Sequence, residues 1–446
     1  MPSSRFPTHP HQPSRRRTLG LLLALAAAGP AATTACSRSG SERSGSGSVT
    51  LRFWAWADIG QAVDLWNRTH PDVHVELSTP AGQVSIFQRL SSAMVAGTGA
   101  PDLVQVDYNN LTTLAVAGYL EDITDRAAGF EPEFLPAAWQ QVLIDDRLWA
   151  VPQDIGPMAM YYRQDVFDAH GLAVPRTWDE FRDTAARLRA ADRTRYLTAY
   201  PAGDAFWFAS LAAARGARWF STENDSWHVG IDDAPTVETA DFWTELLAED
   251  LVTTSQHWNP AWHSALQDGT LAAWLGPAWG VGTLAAYPPT DPEGSWGVAP
   301  LPSVDADRPT SGFWGGSSTA VVAGSPHAAA AVEFAAWLNT DPDAADLLVD
   351  PEHAALFPAS LAGQARPAVS RPQEAVGGRP IDGVFRAAAA TTRTMTWGPT
   401  MDQVRDDFID AAAAALSEGR PLRDALHSTQ RGTVAALEQK GLSVTA

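Results

Sequence analysis

The sequence predicts an α/β fold in two lobes, on three observations. Strand-like and helix-like periodicities alternate from Val49 onward, the alternation restarts after "DRLWAVPQDIGPMAMYYRQDVFDAHG", and 446 residues suffice for two globular cores. The chain begins its regular part with "VTLRFWAW", which alternates as a strand, followed by "IGQAVDLWNRTH" at helical spacing. Pro71 breaks that helix, and Val73, Val75 and Leu77 give the next strand. Strand, helix, strand is the unit of a parallel sheet. It recurs as the helical "VSIFQRLSSAMVAG", the buried strand "LVQVD" opened by Pro101, and the helical "LTTLAVAGYLEDIT" with a break at Gly118. In the second part, "TWDEFRDTAARLRAA" starts as a capping box, with Thr177 as N-cap and Glu180 three residues on. The helical "TVETADFWTELLAEDLV", a strand in "TLAAWLG", an extended "WGVAPLP" and three later helices, "PHAAAAVEFAAWLNT", "PDAADLLV" and "MDQVRDDFIDAAAAALSEG", complete the pattern. No repeat period marks a solenoid or propeller.

Residues 1–35 read as an address. The basic "SRRRTLG" precedes the apolar "LLLALAAAG", which is too short to span a bilayer and ends at Pro30, as in a secretory signal peptide. The arginine pair after Ser14 leaves both the twin-arginine and the general secretory route open. Cys36, the only cysteine, follows "TTA" where a lipoprotein would be cleaved and acylated, and residues 36–48 are a Ser/Gly/Arg tether. The expected location is the outer face of the cytoplasmic membrane, held by lipid on Cys36 alone. With no second cysteine, internal disulfides are excluded.

The formal charge is −20, and loss of the leader's four arginines leaves −24. Such a surface repels phosphate backbones and excludes nucleic acid as a partner. The chain has one lysine, Lys440, and 18 tryptophans, rings that need either burial or a ligand face.

Seven segments in register, "VQVDYNNLTTLAVAGYLEDIT", "LWAVPQDIGPMAMYYRQDVFDAHGL", "PRTWDEF", "DGTLAAWLGPAWG", "WGVAPLP", "FWGGSSTAVV" and "TWGPTM", resemble the extracellular solute-binding lipoproteins of carbohydrate ABC importers, the maltose-binding type. The resemblance covers about Val49 to the C-terminus. It implies the type II periplasmic-binding-protein fold, with a ligand cleft between lobes joined by crossing strands. The expected division is 49–152 with 312–342 for lobe one, and 153–311 with 343–446 for lobe two. It further implies a monomer that binds a carbohydrate and serves permease subunits.

A sugar offers flat C–H faces and a hydroxyl rim, which suit aromatic rings and paired donor–acceptor groups respectively. By the resemblance, Trp279 after the strand-ending "GP" and Trp397 in "TWGPTM" stack on the ligand, and one of Phe206 and Trp207 in "DAFWFASLAAARG" faces it. The competing fate is core burial, expected for Trp54 and Trp274. Trp56 and Asp58 follow the first strand, and Asp107, Tyr108, Asn109 and Asn110 follow a later one, at the carboxyl ends where open α/β sheets bind ligands. Helix capping would account equally for "YNN". Gln153 and Asp154 lie at the first lobe crossing, within reach of a ligand or of an inter-lobe salt bridge. Trp314, Gly315 and Gly316 in "FWGGSS" would bring backbone N–H groups close to a ligand, or serve a turn of positive φ.

The other function class is a secreted glycosidase, which needs two carboxylates flanking the bond; Asp58, Asp107 and Asp154 supply candidates without a distinguishing spacing. A phosphate loop, "HExxH" and a strand-flanked "GxSxG" are absent from the sequence. The expectation is a binding protein with no catalytic residue, no metal site and no cofactor.

Overall fold

Seven strands make one sheet: β1 (Val49–Trp54), β2 (Val73–Ser78), β3 (Leu103–Asp107), β4 (Val151–Arg163), β5 (Ala273–Pro277), β6 (Trp296–Pro300) and β7 (Phe313–Val321). Their order is β5-β4-β7-β3-β1-β2, and β6 also pairs with β4. The computed structural model describes residues 48–445 except 81, 225, 351, 352 and 372, without the side chains of 82–85. The leader, Cys36 and nearly all of the tether lie outside the described residues.

β1 runs parallel to β2 and to β3, as the strand–helix–strand reading requires. Every residue of β3 is buried, which fits its continuous apolar run between two covered faces. The helix Gly60–Thr69 turns Ala62, Val63 and Trp66 inward, and the Trp66 indole N–H donates to Val73 O at 2.9 Å, tying helix to strand. Within this sheet every pairing made by β4 and β7 is antiparallel, a change the parallel-sheet expectation did not contain.

β4 is the element that joins the two parts of the sheet. Its first half, from Val151 to Pro157, pairs with β7; its second half, from Met158 to Arg163, pairs with β5 on one edge and β6 on the other. Of its thirteen residues only Tyr162 is not fully buried, so the strand is core on both faces. Opposite β4, the register of β7 shifts between Phe313 and Gly316, where two consecutive residues have positive φ.

Helix signals translate into structure with small displacements. Thr177 Oγ1 accepts from Glu180 N at 3.2 Å, opening the helix Trp178–Ala191, but the reciprocal arm lands one residue early, with Glu180 Oε2 accepting from Arg176 N at 2.7 Å. Tyr108, Asn109 and Asn110 are the first turn of the helix Tyr108–Val116, with Asp107 at the cap position. The sequence reading did not contain the helix Arg423–Gln439, nor the hairpin Phe220–Glu223/Ser226–Val229 to which Val444–Thr445 adds a parallel strand. Many of the indoles serve the core: Trp66, Trp207, Trp219, Trp243, Trp262, Trp274 and Trp296 are all fully buried.

Candidate functional site

The step from β5 into the helix Gly280–Ala286 holds Trp279 at the helix cap, just after Pro277 ends the strand. Tyr161 Oη donates to Pro277 O at 2.7 Å and fixes that turn. Across from it, the bulge of β7 brings a second indole: Trp279 Nε1 donates to Trp314 O at 3.2 Å, and the ring centroids are 5.6 Å apart. The bulge depends on glycine at two positions. Gly315 and Gly316 have φ of 75° and 94°, and a Cβ on Gly316 would lie 2.8 Å from the Tyr108 ring and 2.9 Å from Asp154 O.

These residues line a cavity of about 400 Å³ whose walls also include Trp258, Phe206, Phe313 and Trp397. Trp258 lies 5.8 Å from Trp279 and 6.0 Å from Trp314, adopts φ 67° and remains 46 % exposed. A bulky residue in the left-handed region and half open to solvent is held there by its surroundings. Beneath it, His257 packs 5.1 Å from Trp314, and its Nδ1 sits 3.0 Å from Asp204 Oδ2. Asp204 in turn caps the helix Ala205–Arg215 by accepting from Trp207 N. On the opposite wall Phe206 meets Trp397 edge to face at 5.7 Å, and Trp397 Nε1 donates to Gln141 Oε1 at 3.0 Å. Ser210 Oγ donates to the carbonyls of Phe206 and Phe313, so its hydroxyl is committed to the wall.

The polar side of the cavity comes from the carboxyl end of β3. Burial pushes the Asp107 carboxyl up to about 7, with nearby Asn110 pulling down and the charge of Asp402 adding to the rise. Tyr108 Oη donates to Asp154 O at 2.9 Å, leaving its ring as the cavity surface. Asn109 Oδ1 and Asn110 Oδ1 are buried acceptors with no donor among the described residues. Burial also lifts Asp154 to about 6, tempered by the Ser317 hydroxyl that donates to it. In both acids the folded state retains a proton that the unfolded chain, with its carboxyl near 3.8, has released. Their contribution to stability is therefore complete below about pH 4 and is lost as the pH rises through about 6 for Asp154 and about 7 for Asp107. Asp107→Asn is expected to stabilise the ligand-free protein at pH 8 by about 1–2 kcal/mol and to leave it little changed at pH 4. Thermal melts of the two proteins that run parallel across this range would refute that assignment.

Of the residues singled out from the sequence, the structure brings Asp107, Tyr108, Asn109, Phe206, Trp279, Trp314, Gly315, Gly316 and Trp397 to this one cavity. Trp56 and Asn110 instead line a void of about 10 Å³, which shares Asp107 with it. Asp58 is exposed and outside both. Gln153 is buried at 1 % exposure, its Oε1 accepting from Thr319 Oγ1 while its Nε2 has no acceptor among the described residues, and Asp154 is buried against Ser317; neither lines the cavity. No salt bridge involves Asp154 among the described residues. Trp207 points into the core, donating to Leu275 O at 2.9 Å, so Phe206 is the member of the pair that faces the opening.

Gln141, Asp204, Ser210, Trp258 and Phe313 line the cavity without having been singled out. A signal existed for Trp258. It precedes Asn259 and Pro260, which cap and open the helix Pro260–Gln267, so it stands outside that helix and off its buried face. No arginine or lysine among the described residues lines the cavity. Among the described residues no group of three His, Cys, Asp or Glu could hold a metal ion.

Residues 53–345 match the family described as bacterial extracellular solute-binding protein. The arabinooligosaccharide-binding protein of Halalkalibacterium halodurans is 25% identical over 309 residues, covering 65% of this chain and 67% of that protein. Among solved structures, the galacto-N-biose/lacto-N-biose I-binding protein of an ABC transporter from Bifidobacterium longum, in complex with lacto-N-biose, has a TM-score of 0.79 at 28% identity, covering 90% of this chain and 99% of that one. The sugar-binding protein MalE from Xanthomonas citri, at 19% identity and a TM-score of 0.74 over 88% of this chain and 98% of that one, shares the fold. The two-lobed periplasmic-binding-protein architecture expected from the sequence is thus the fold of this chain.

Proposed function

We propose, from the premise that this chain belongs to the bacterial extracellular solute-binding protein family, that it captures a neutral saccharide outside the cell and delivers it to an ABC importer. The observation that carries this reading is the cavity itself. Trp258, Trp279, Trp314 and Trp397 supply apolar faces, Asn109 Oδ1 supplies a buried acceptor with no donor among the described residues, and Asp107 adds a carboxyl group. That no cationic side chain among the described residues lines it favours an uncharged ligand over a phosphorylated or carboxylated one.

In this reading the cavity lies between lobe one (49–152 and 312–342) and lobe two (153–311 and 343–446), and a ligand that touches both stabilises the closed form. The closed protein, a monomer, then docks on permease subunits, which supply the transport energy. Export and acylation of Cys36 would keep it at the outer face of the membrane; no helix among the described residues is long and apolar enough to cross one.

Family members bind rather than transform, and the positions of the acids support the same for this chain. Of Asp58, Asp107 and Asp154, only Asp107 lines the cavity, whereas cleavage of a glycosidic bond needs two carboxyls across it. Asp204, the other acid there, is occupied by His257 and the helix cap.

A thermal-shift panel of neutral mono-, di- and oligosaccharides, with phosphorylated and uronic sugars as controls, is expected to return at least one neutral ligand of roughly micromolar or tighter affinity, raising the melting temperature as mass action requires. Silence across the neutral sugars would overturn the proposal. New products on chromatography after incubation would replace a receptor with an enzyme.

A further inference from the structure

A second cavity, of about 500 Å³, shares Gln141 and Trp397 with the first. Its chemistry is different. Where the first is walled by rings, the second is lined largely by the polar side chains of Thr112, Gln140, Asp145, Asp146, Ser221 and Thr222. Two hairpins contribute to it. One is Leu143–Ile144/Arg147–Leu148, whose turn residues Asp145 and Asp146 have φ of 52° and 58°; the other is Phe220–Glu223/Ser226–Val229. A two-residue turn with both φ positive matches the twist of its strands, so the two carboxylates are held on a short, defined loop. Among the described residues no arginine or lysine lines this cavity either.

Gln141 connects the two spaces. Its Oε1 accepts from Trp397 Nε1, and its Nε2 donates to Met395 O at 3.0 Å, with Met395 itself lining the second cavity. The amide is therefore held at both ends by the protein and serves as a fixed shared wall. A ligand that fills the first cavity and continues past Trp397 enters a space offering carboxylates, amides and hydroxyls to its own hydroxyl groups.

On the reading that the first cavity holds a neutral saccharide, we propose that the second is an extension subsite for further units of the same chain, so that the protein selects an oligosaccharide over a disaccharide. The aromatic cavity would hold the first units by their faces, and the polar cavity would read the hydroxyls of the units that follow. Ser221 and Thr222 are exposed, which leaves the subsite open to solvent at one side and allows a ligand end to protrude.

The test is calorimetry with arabinose-based and galactose-based di-, tri- and tetrasaccharides on the full-length chain and on Thr222→Trp, which places an indole in the second cavity from an exposed strand position. Affinity is expected to rise by roughly tenfold or more from two units to three or four. In the variant that gain should vanish while disaccharide affinity stays within about twofold. Ser221→Trp is the companion variant should Thr222→Trp melt early, with the same result expected. Equal affinity at every length, or a variant that weakens short and long ligands alike, overturns the extension subsite and leaves the saccharide reading standing. Failure of every saccharide to bind overturns both.

Discussion

Replacing Gly156 with alanine is expected to cost the fold about 3 kcal/mol or more, the upper end of what an extra methyl does in a packed interior. A Cβ there would lie 2.0 Å from Trp314 O and 2.9 Å from its carbonyl carbon, with Trp279 Nε1 at 3.2 Å. The nearest atoms are backbone. They cannot swing aside as a side-chain end would, because β7 is paired to β4 on one edge and to β3 on the other. The strain must move the bulge that carries Trp314 or part the strand pair, and either also shifts the carbonyl that accepts from Trp279. Gly282→Ala is the control: it sits in the helix Gly280–Ala286 with nothing within 4 Å of the added carbon, and should be neutral or gain up to about 1 kcal/mol. Denaturant unfolding of the two variants measures the contrast. Coincident midpoints would mean that β4 and β7 are not held as closely as their pairing implies.

What the sequence made legible was mostly local. The alternation of β1, the cap at Thr177 and the proline-opened strand before Asp107 follow from short-range rules, and each element stands within a few residues of its expected place. Trp279 at a helix cap was readable because Gly276 and Pro277 end a strand beside it. The helix Arg423–Gln439 was not readable, since Gly432 and three Ser/Thr residues weaken its propensity. A Cβ on that glycine would meet only the end of the Asp407 side chain, Oδ2 at 2.9 Å on the neighbouring helix Met401–Ser417, which can swing aside. The hairpin at Phe220 lacks clear alternation on its first strand, whose last three residues are exposed, so no period marks it. At the site the limit was direction. Adjacent Phe206 and Trp207 are equivalent by composition, and only packing of the helix Ala205–Arg215 turns the indole inward. Gln153 and Asp154 read as free polar groups on a crossing strand, whereas the sheet supplies partners from β7 that are distant in sequence.

Trp279→Ala is expected to weaken the saccharide by roughly 10-fold to 1000-fold, since the loss of one stacking ring is worth about 1.5–4 kcal/mol. The indole does two things, and a second variant separates them. Its face belongs to the ring cluster with Trp258 and Trp314, and its N–H holds the Trp314 carbonyl in the β7 bulge. Trp279→Phe keeps an aromatic face and gives up the hydrogen bond, so its loss should stay below about tenfold if stacking dominates, a lost hydrogen bond being worth about 0.5–1.5 kcal/mol. Were the phenylalanine variant as weak as the alanine one, the ring would matter chiefly by positioning the bulge, and Gly156→Ala should then reproduce the defect. Unchanged affinity in Trp279→Ala would remove this indole from the ligand's surroundings altogether. Trp258 would then be the ring to examine, because it lines the same cavity and is 46 % exposed.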